Sequence, residues 1–251
     1  MTLPTSVKGR VATAVIAVAL VAATVALPVR GKVVRELGPA QHAVAVVHQP
    51  VTTQPEAAVK AKPKALVVPA ALFKAGLNLR AAPVAVPLQL RMPTLGVDAP
   101  VVGVGLTLKN VMAAPMGPPD DPAWHQAFWY RGSAVPGAAS TALIAGHIDG
   151  GGRPAVFARI ADLRKGDPIV VHDTRTGLDV RFVVTGSAAF TLAQTSDPAV
   201  LRLMYGVGPV AGTAPQPSAD GLAHLTLVTC AGTFRNGTHD HRLVVFATRV
   251  A

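Results

Sequence analysis

The chain has 251 residues, of which 50% are hydrophobic and 14% charged, with a formal net charge of +10 at pH 7. That length allows one or two domains, and the apolar fraction is high for a protein whose whole length sits in water. Residues 1 to 92 carry eleven Lys and Arg against two acids, net +9, whereas residues 93 to 251 carry twelve against eleven, net +1. A nearly neutral C-terminal region argues against nucleic acid as a partner. The basic excess sits where it meets anionic lipid or wall polymer, or is simply a solvated linker.

Val11 to Val29 is a run of 19 uncharged residues, preceded by Lys8 and Arg10 and followed by Arg30, Lys32 and Arg35. It is near the minimum for crossing a hydrocarbon core of roughly 30 Å. The expectation is an uncleaved anchor over residues 1–29 with its N-terminus inside. Thr24-Val25-Ala26 offers a small-residue cleavage site, so a removed signal is the alternative, and either form exports the remainder. Residues 30–83 are dominated by Ala, Val, Pro and Lys, with prolines at 39, 50, 55, 63, 69 and 83. Such spacing interrupts helices and favours extended conformers, which reads as a semi-rigid Pro/Ala-rich linker spanning on the order of 150 Å.

Residues 84–251 read as a mostly β domain. Runs rich in β-formers and bounded by Gly and Pro predict strands at Val84–Met92, Val97–Val104, Thr141–Ala145, Ile169–His172, Asp179–Phe190, Leu222–Cys230 and Arg242–Arg249. Two short helices interrupt them. Pro154–Leu163 places Val156, Phe157, Ile160 and Leu163 at helical spacing, with Gly166 as a stop. Pro198–Tyr205 begins with Asp197 as a cap and proline in the first turn. Many short strands in about 170 residues suggest a closed barrel.

Cys230 is the only cysteine, so it cannot enter an intramolecular disulfide and is either a small packed hydrophobe or a reagent. Its strand is one of three that can present chemistry to a common cleft. His147 stands in Gly146-His147-Ile148-Asp149-Gly150-Gly151-Gly152, directly after the strand Thr141–Ala145, and Arg242 opens the run Arg242-Leu243-Val244-Val245-Phe246-Ala247. A thiol with a pKa near roughly 8.5 and an imidazole near roughly 6.5 can exchange a proton, and a permanently charged Arg can hold an oxyanion. That is equipment for acyl transfer.

Strand alternation puts Thr226, Val228 and Cys230 on one face and Leu225, Leu227 and Thr229 on the other, without saying which is buried. Thr229 is a supporting candidate that positions the thiolate or substrate, set against plain β propensity. Asp149 either orients His147 or meets substrate, set against a plain turn aspartate. The other histidines are 42, 48, 125, 172, 224, 239 and 241. His172 and His224 read as strand-surface residues. His239-Asp240-His241 reads as loop, because two histidines and one aspartate lack further metal ligands. Arg235, in a turn-rich loop, and Arg249, at the chain end, are the competitors of Arg242. The long connection before Cys230 carries only Asp197 and Asp220 as acids, too few for a calcium site. No metal and no cofactor is expected.

These residues resemble the sortases, the cysteine transpeptidases of Gram-positive surfaces. Thr226-Leu227-Val228-Thr229-Cys230 is similar to the family's Thr-Leu-x-Thr-Cys signature, and His147 and Arg242 follow the order of its catalytic His and Arg. Met92 to Val101, Trp129-Tyr130, Gly146 to Asp149, Pro154 to Phe157 and Leu163 to Asp167 resemble the actinobacterial class F group. The resemblance covers about Val84 to Ala251. It implies an eight-stranded sortase β-barrel, with the second helix in the long connection before the Cys strand, beside the substrate groove. It also implies catalytic roles for Cys230, His147 and Arg242 in cleaving an LPXTG-like sorting signal between Thr and Gly through a thioacyl intermediate. The partners implied are proteins bearing such signals and a peptidoglycan-precursor or pilin amine, met at the outer face of the cell membrane. Two rivals stand beside this reading: a cysteine peptidase using water as acceptor, and a noncatalytic membrane-tethered wall-binding module with a packed cysteine. Papain-like enzymes run Cys before His and use Asn, an order this chain does not share.

Overall fold

Apolar side chains at alternate positions of Val84–Met92 are buried, namely Val86, Leu88, Leu90 and Met92, and the segment forms β1 of a computed structural model that describes residues 78–209 and 213–250. The expected anchor over 1–29 and nearly all of the expected linker over 30–83 lie outside the described residues. A single 3₁₀ turn, Pro93–Leu95, ends at Gly96 in the left-handed region (φ 66°) and sends the chain into β2 (Val97–Val104), antiparallel to β1. Next come β3 (Ala127–Tyr130), β4 (Thr141–Gly146), a small hairpin of β5 (Asp149–Gly150) with β6 (Arg153–Pro154), β7 (Pro168–Asp173) and β8 (Asp179–Thr191). The helix α1 (Pro198–Tyr205) then precedes β9 (His224–Arg235) and β10 (Thr238–Arg249).

Eight strands close into a barrel in the order β1-β2-β3-β4-β9-β10-β8-β7, while β5 and β6 pair only with each other. This is the architecture the resemblance implied. Closure removes the open edges that a sheet would otherwise expose to other chains. The pairs β2–β3 and β4–β9 are parallel, and the other barrel pairs are antiparallel. Parallel neighbours need long crossovers, and both are provided: residues 105–126 between β2 and β3, and the stretch from β5 through α1 between β4 and β9.

The interior is filled by one face of each strand. Leu90 and Met92 meet Ile169 and Val171 of β7, Val180 and Phe182 of β8, Leu225 and Leu227 of β9, and Val245 and Ala247 of β10. A second apolar cluster lies on the outer wall. There Leu143 of β4, Val228 of β9 and Val244 of β10 pack with Met204, Val200 and Tyr205 of α1 and with Leu106 and Met112 of the β2–β3 connection. Both faces of β9 are therefore covered over Leu225 to Val228, which answers the question that alternation left open.

The expected helix Pro198–Tyr205 is present. Asp197 caps it, its Oδ1 accepting from the N–H groups of Ala199 (2.7 Å) and Val200 (3.4 Å). The other expected helix, Pro154–Leu163, is not a helix. The Val156 N–H donates to the Trp124 carbonyl and the Phe157 N–H to that of His147, both at 2.9 Å, and within the segment Ala158, Ile160 and Leu163 donate only three residues back, to Ala155, Phe157 and Ile160, so the chain makes separate turns and no α-helical ladder. Only Ile160–Asp162 makes a single 3₁₀ turn. The apolar residues picked out by spacing are buried all the same, since successive turns point them into the barrel core as a helix would.

Two further departures concern strands. Ala127–Tyr130 was not expected as a strand: all of its residues are buried, so no alternation marks it. Strands β9 and β10 run past the expected ends at Cys230 and Arg242. Asn236 and Gly237, at φ 52° and 79°, form a two-residue turn that pairs Arg235 with Thr238, the Asn-Gly composition that type I′ hairpins favour. His239-Asp240-His241 is thus part of a strand and not a loop. Replacing Phe157, fully buried between the core and the end of β4, by Ala is expected to cost about 3–5 kcal/mol, read from the denaturation midpoint of the full chain; a loss under about 1 kcal/mol would mean that the segment does not seal the core.

Candidate active site

Cys230 and Arg242 are direct cross-strand partners in the antiparallel β9–β10 pair. Side chains of such a pair stand on the same face with Cβ atoms about 4.5–5.5 Å apart. On the other side of β9, β4 runs parallel with Ala145 opposite Val228. Carried two positions further, that register brings His147, the first residue beyond β4, level with Cys230. Phe128 of β3 pairs with Ala145 and so shares the same outer face. A row of four neighbouring chain segments thus presents Phe128, His147, Cys230 and Arg242 on the outside of the barrel, at the margin of the outer apolar cluster. Cys230 is a free thiol, partly exposed.

The imidazole of His147 is held on several sides. Its ring centroid lies 4.7 Å from that of Trp124 and 5.1 Å from that of Phe128, the latter edge-on. Its Nε2 lies 2.8 Å from the carbonyl oxygen of Pro115 in the β2–β3 connection. Its own carbonyl accepts from the Phe157 N–H. The glycines around it have specific causes. A Cβ at Gly146 would strike the Phe157 ring and Val156, and one at Gly150 would strike the Trp124 ring. Gly151 and Gly152, at φ 58° and 79°, make the turn between β5 and β6.

Arg242 is fixed by its own strand. Its Nη1 donates to the carbonyls of His239 (3.2 Å) and His241 (2.8 Å). Among the described residues both of its hydrogen bonds leave from Nη1, so Nε–H and the Nη2 donors stay available to a ligand oxygen. These two carbonyls, two residues apart, leave β10 on the same side, and the β9–β10 register shifts here, with an extra β9 residue opposite Asp240. Gly232 (φ 78°) makes this bulge, and a Cβ there would collide with Asp240 and His241. Asp240 accepts from the Thr233 N–H at 2.8 Å and pairs with His241 Nδ1 at 2.7 Å. The hydrogen bond from His241, with that backbone N–H, holds its carboxyl below the usual carboxylate range.

The supporting candidates do different work from that first expected. Thr229 faces the barrel interior, on the opposite side of β9 from the thiol, and is buried. Its hydroxyl donates to the Gly146 carbonyl at 2.8 Å, tying β9 to the last residue before His147. Asp149 begins β5 with an exposed side chain, and its Oδ2 lies 3.6 Å from Nε2 of His239, a histidine on β10. His172 and His224 sit on strands, bonded to Asp179 (2.7 Å) and to Thr248 and Asp220 (3.1 Å each). Arg249 reaches the Gly137 carbonyl at 3.0 Å, away from Cys230. Among the described residues no group of three His, Cys, Asp or Glu is arranged to hold a metal ion.

Sequence reasoning missed Pro115, Trp124 and the Gly232 bulge. A main-chain carbonyl carries no residue-type signal, and Trp124 lies outside every periodic segment. Only the density of Pro and Gly over 115–122 hints at a shaped loop. Exchanging Thr229 for the nearly isosteric Val removes one buried hydrogen bond without opening a cavity, and is expected to lower stability by about 1 kcal/mol; urea unfolding at neutral pH measures it, and an unchanged midpoint would deny the tie between β9 and β4.

A family profile described as a sortase domain matches residues 90–250. Among solved structures the chain is similar to a lid mutant of sortase A from Corynebacterium diphtheriae, at 23% identity over 68% of this chain and 73% of that one, with a TM-score of 0.46. It is similar also to a lid mutant of sortase C1 from Streptococcus agalactiae, at 17% identity over 65% and 69% of the two chains, TM-score 0.44. Sortase C-1 from Actinomyces oris matches at 19% identity over 72% of this chain and 96% of its own, TM-score 0.44. A search of characterised proteins by sequence gave no match. The profile spans well over half of the sequence, and on that ground the chain belongs to the sortase family, whose members are cysteine transpeptidases.

Proposed function

We propose that this chain cleaves an LPXTG-like sorting signal between Thr and Gly and joins the released carboxyl end to an amine of a peptidoglycan precursor or pilin. The observation that carries the reading is the cross-strand pairing of Cys230 with Arg242 beside the end of β4, where His147 follows. In this scheme the Cys230 thiolate attacks the Thr carbonyl carbon, forming a C–S bond while the carbonyl pair moves onto oxygen. The free Nε and Nη2 donors of Arg242 receive that oxyanion, which is where preorganised donors lower a barrier. Collapse breaks the C–N bond, and the His147 imidazolium passes its proton to the leaving glycine amine. The incoming amine then attacks the thioester, His147 takes its proton, and the C–S bond breaks to regenerate the thiolate.

The uncharged run Val11 to Val29 with basic flanks supports a membrane anchor or export signal ahead of the catalytic domain, which puts the reaction at the outer face of the membrane. The near-neutral charge of residues 93 to 251 supports peptide and wall amine as partners and gives nucleic acid no footing. Cys230→Ala and His147→Ala are each expected to abolish cleavage of a sorting peptide. Arg242→Ala, which removes the oxyanion donors, is expected to lower kcat by about 10²–10³-fold. Mass spectrometry with and without a glycine-type amine reads ligation against hydrolysis. A Cys230→Ala protein that still cleaves would end this reading, and release of free acid alone at saturating amine would make the enzyme a peptidase.

A further inference from the structure

The Pro115 carbonyl lies 2.8 Å from His147 Nε2. A carbonyl oxygen has no proton to give, so the nitrogen facing it must carry one. In the neutral ring that leaves Nδ1 with the lone pair, and in the imidazolium the same bond persists, stronger because the donor is charged. We infer that the main-chain carbonyl of Pro115 is a positioning group for His147, fixing the Nε2–H tautomer and assigning proton exchange to Nδ1. The inference rests on His147 being the proton-transfer group of the proposed reaction.

The segment that bears this carbonyl is built to hold still. Residues 115–122 contain four prolines, which restrict the backbone without adding donors that would compete for the imidazole. The Trp124 indole N–H donates to the Pro118 carbonyl at 2.7 Å, and the same ring packs on His147 from the side. Asp121 accepts from the Ala123 N–H at 2.8 Å, and Asp120 pairs with Arg153 of β6 at 2.8 Å. Trp124 therefore acts twice on the imidazole, once by ring contact and once by tying down, at Pro118, the loop that bears the Pro115 carbonyl. Histidine orientation by a carbonyl on the nitrogen remote from the chemistry is a general device, since it chooses the tautomer without fixing the charge.

The test weakens one acceptor while keeping every side chain. Replacing Met116 by its α-hydroxy analogue turns the Pro115–Met116 amide into an ester, whose carbonyl is a poorer acceptor. Among the described hydrogen bonds the Met116 N–H donates none, so the exchange removes no other bond. Trp124→Phe is the second variant, keeping a ring against His147 while releasing Pro118. With 15N-histidine labelling of the full chain in detergent, and His147→Gln to assign the resonance, the neutral wild-type ring is expected to show protonated Nε2 and bare Nδ1. Both variants should shift the ring towards a mixture of tautomers and lower kcat severalfold at unchanged KM. A wild-type ring protonated on Nδ1 would overturn the inference, as would variants that lose turnover with the tautomer unmoved. Full turnover by His147→Ala would instead sink the proposed reaction, a result separable from the tautomer spectrum.

Discussion

Parallel pairing between β4 and β9 sets the geometry on which the site depends. Two parallel strands finish at the same end, so the residue that leaves β4 and the residue that nears the open part of β9 become neighbours without any loop having to carry them there. The pairing register, whose last pair is Ala145 with Val228, extends to His147 level with Cys230 when carried two positions on, and the antiparallel register of β10 brings Arg242 to the other flank. Strand side chains alternate, so a slip of one position would turn Cys230 into the barrel and bring Thr229 out. The Thr229 hydroxyl bonded to the Gly146 carbonyl works against that slip from the interior side. Leu225, Leu227 and Val245, all fully buried, oppose it with apolar area that has no other place to go.

The division of β9 into two faces also explains why the thiol is reactive-capable where it is. A bare barrel wall would leave its outward side chains in water. Here Leu143, Val228 and Val244 are covered by α1 and by the β2–β3 connection, and the cover stops at the level of Cys230. The Tyr130 and Tyr205 rings meet edge-on at 5.6 Å within this cover. Burial, then the neighbouring Tyr130, pushes the Tyr205 hydroxyl up to about 12. Cys230 stands at a boundary, with apolar packing along the strand on one side and a cationic and an aromatic neighbour on the other.

Much of this was legible from residue order. Runs of β-formers bounded by Gly and Pro located β1, β2, β4, β7 and most of β8, and the Asp197-Pro198 pair located α1. Cys230, His147 and Arg242 stood out because each sits at the edge of a β-rich run in the sequence, although β9 and β10 continue past the first and the last of them. What stayed hidden has physical reasons. β3 is buried on both faces and shows no period. Pro154–Leu163 has helical spacing, but its amides bond three residues back in separate turns, and its start is tied to Trp124 and His147 by contacts made across the fold. The extension of β9 and β10 carried an Asn-Gly signal, overshadowed by the many polar residues around it. The glycines beside His147 read as turn residues, yet Gly146 and Gly150 are there because aromatic rings press on the backbone, a demand that only the folded state makes.

The groups that hold the site's two basic side chains share one property. His147 is held by the Pro115 carbonyl, and Arg242 by the carbonyls of His239 and His241. Among the described residues neither forms an ion pair with a carboxylate. The nearby acids Asp149 and Asp240 are turned to other histidines, His239 and His241. A carboxylate would orient a cation equally well, but it would also neutralise its field, and a developing oxyanion would then meet a balanced pair. Carbonyl dipoles orient while leaving the net positive charge in place. His239 and His241 stand two apart in β10, so their carbonyls leave the strand on the same side, and the bulge at Gly232 interrupts the β9–β10 ladder at that point. This stretch of β10 thus serves the same end as the proline-rich loop over His147: each supplies main-chain oxygen from a fixed direction, so that positive charge is positioned without being spent before substrate arrives.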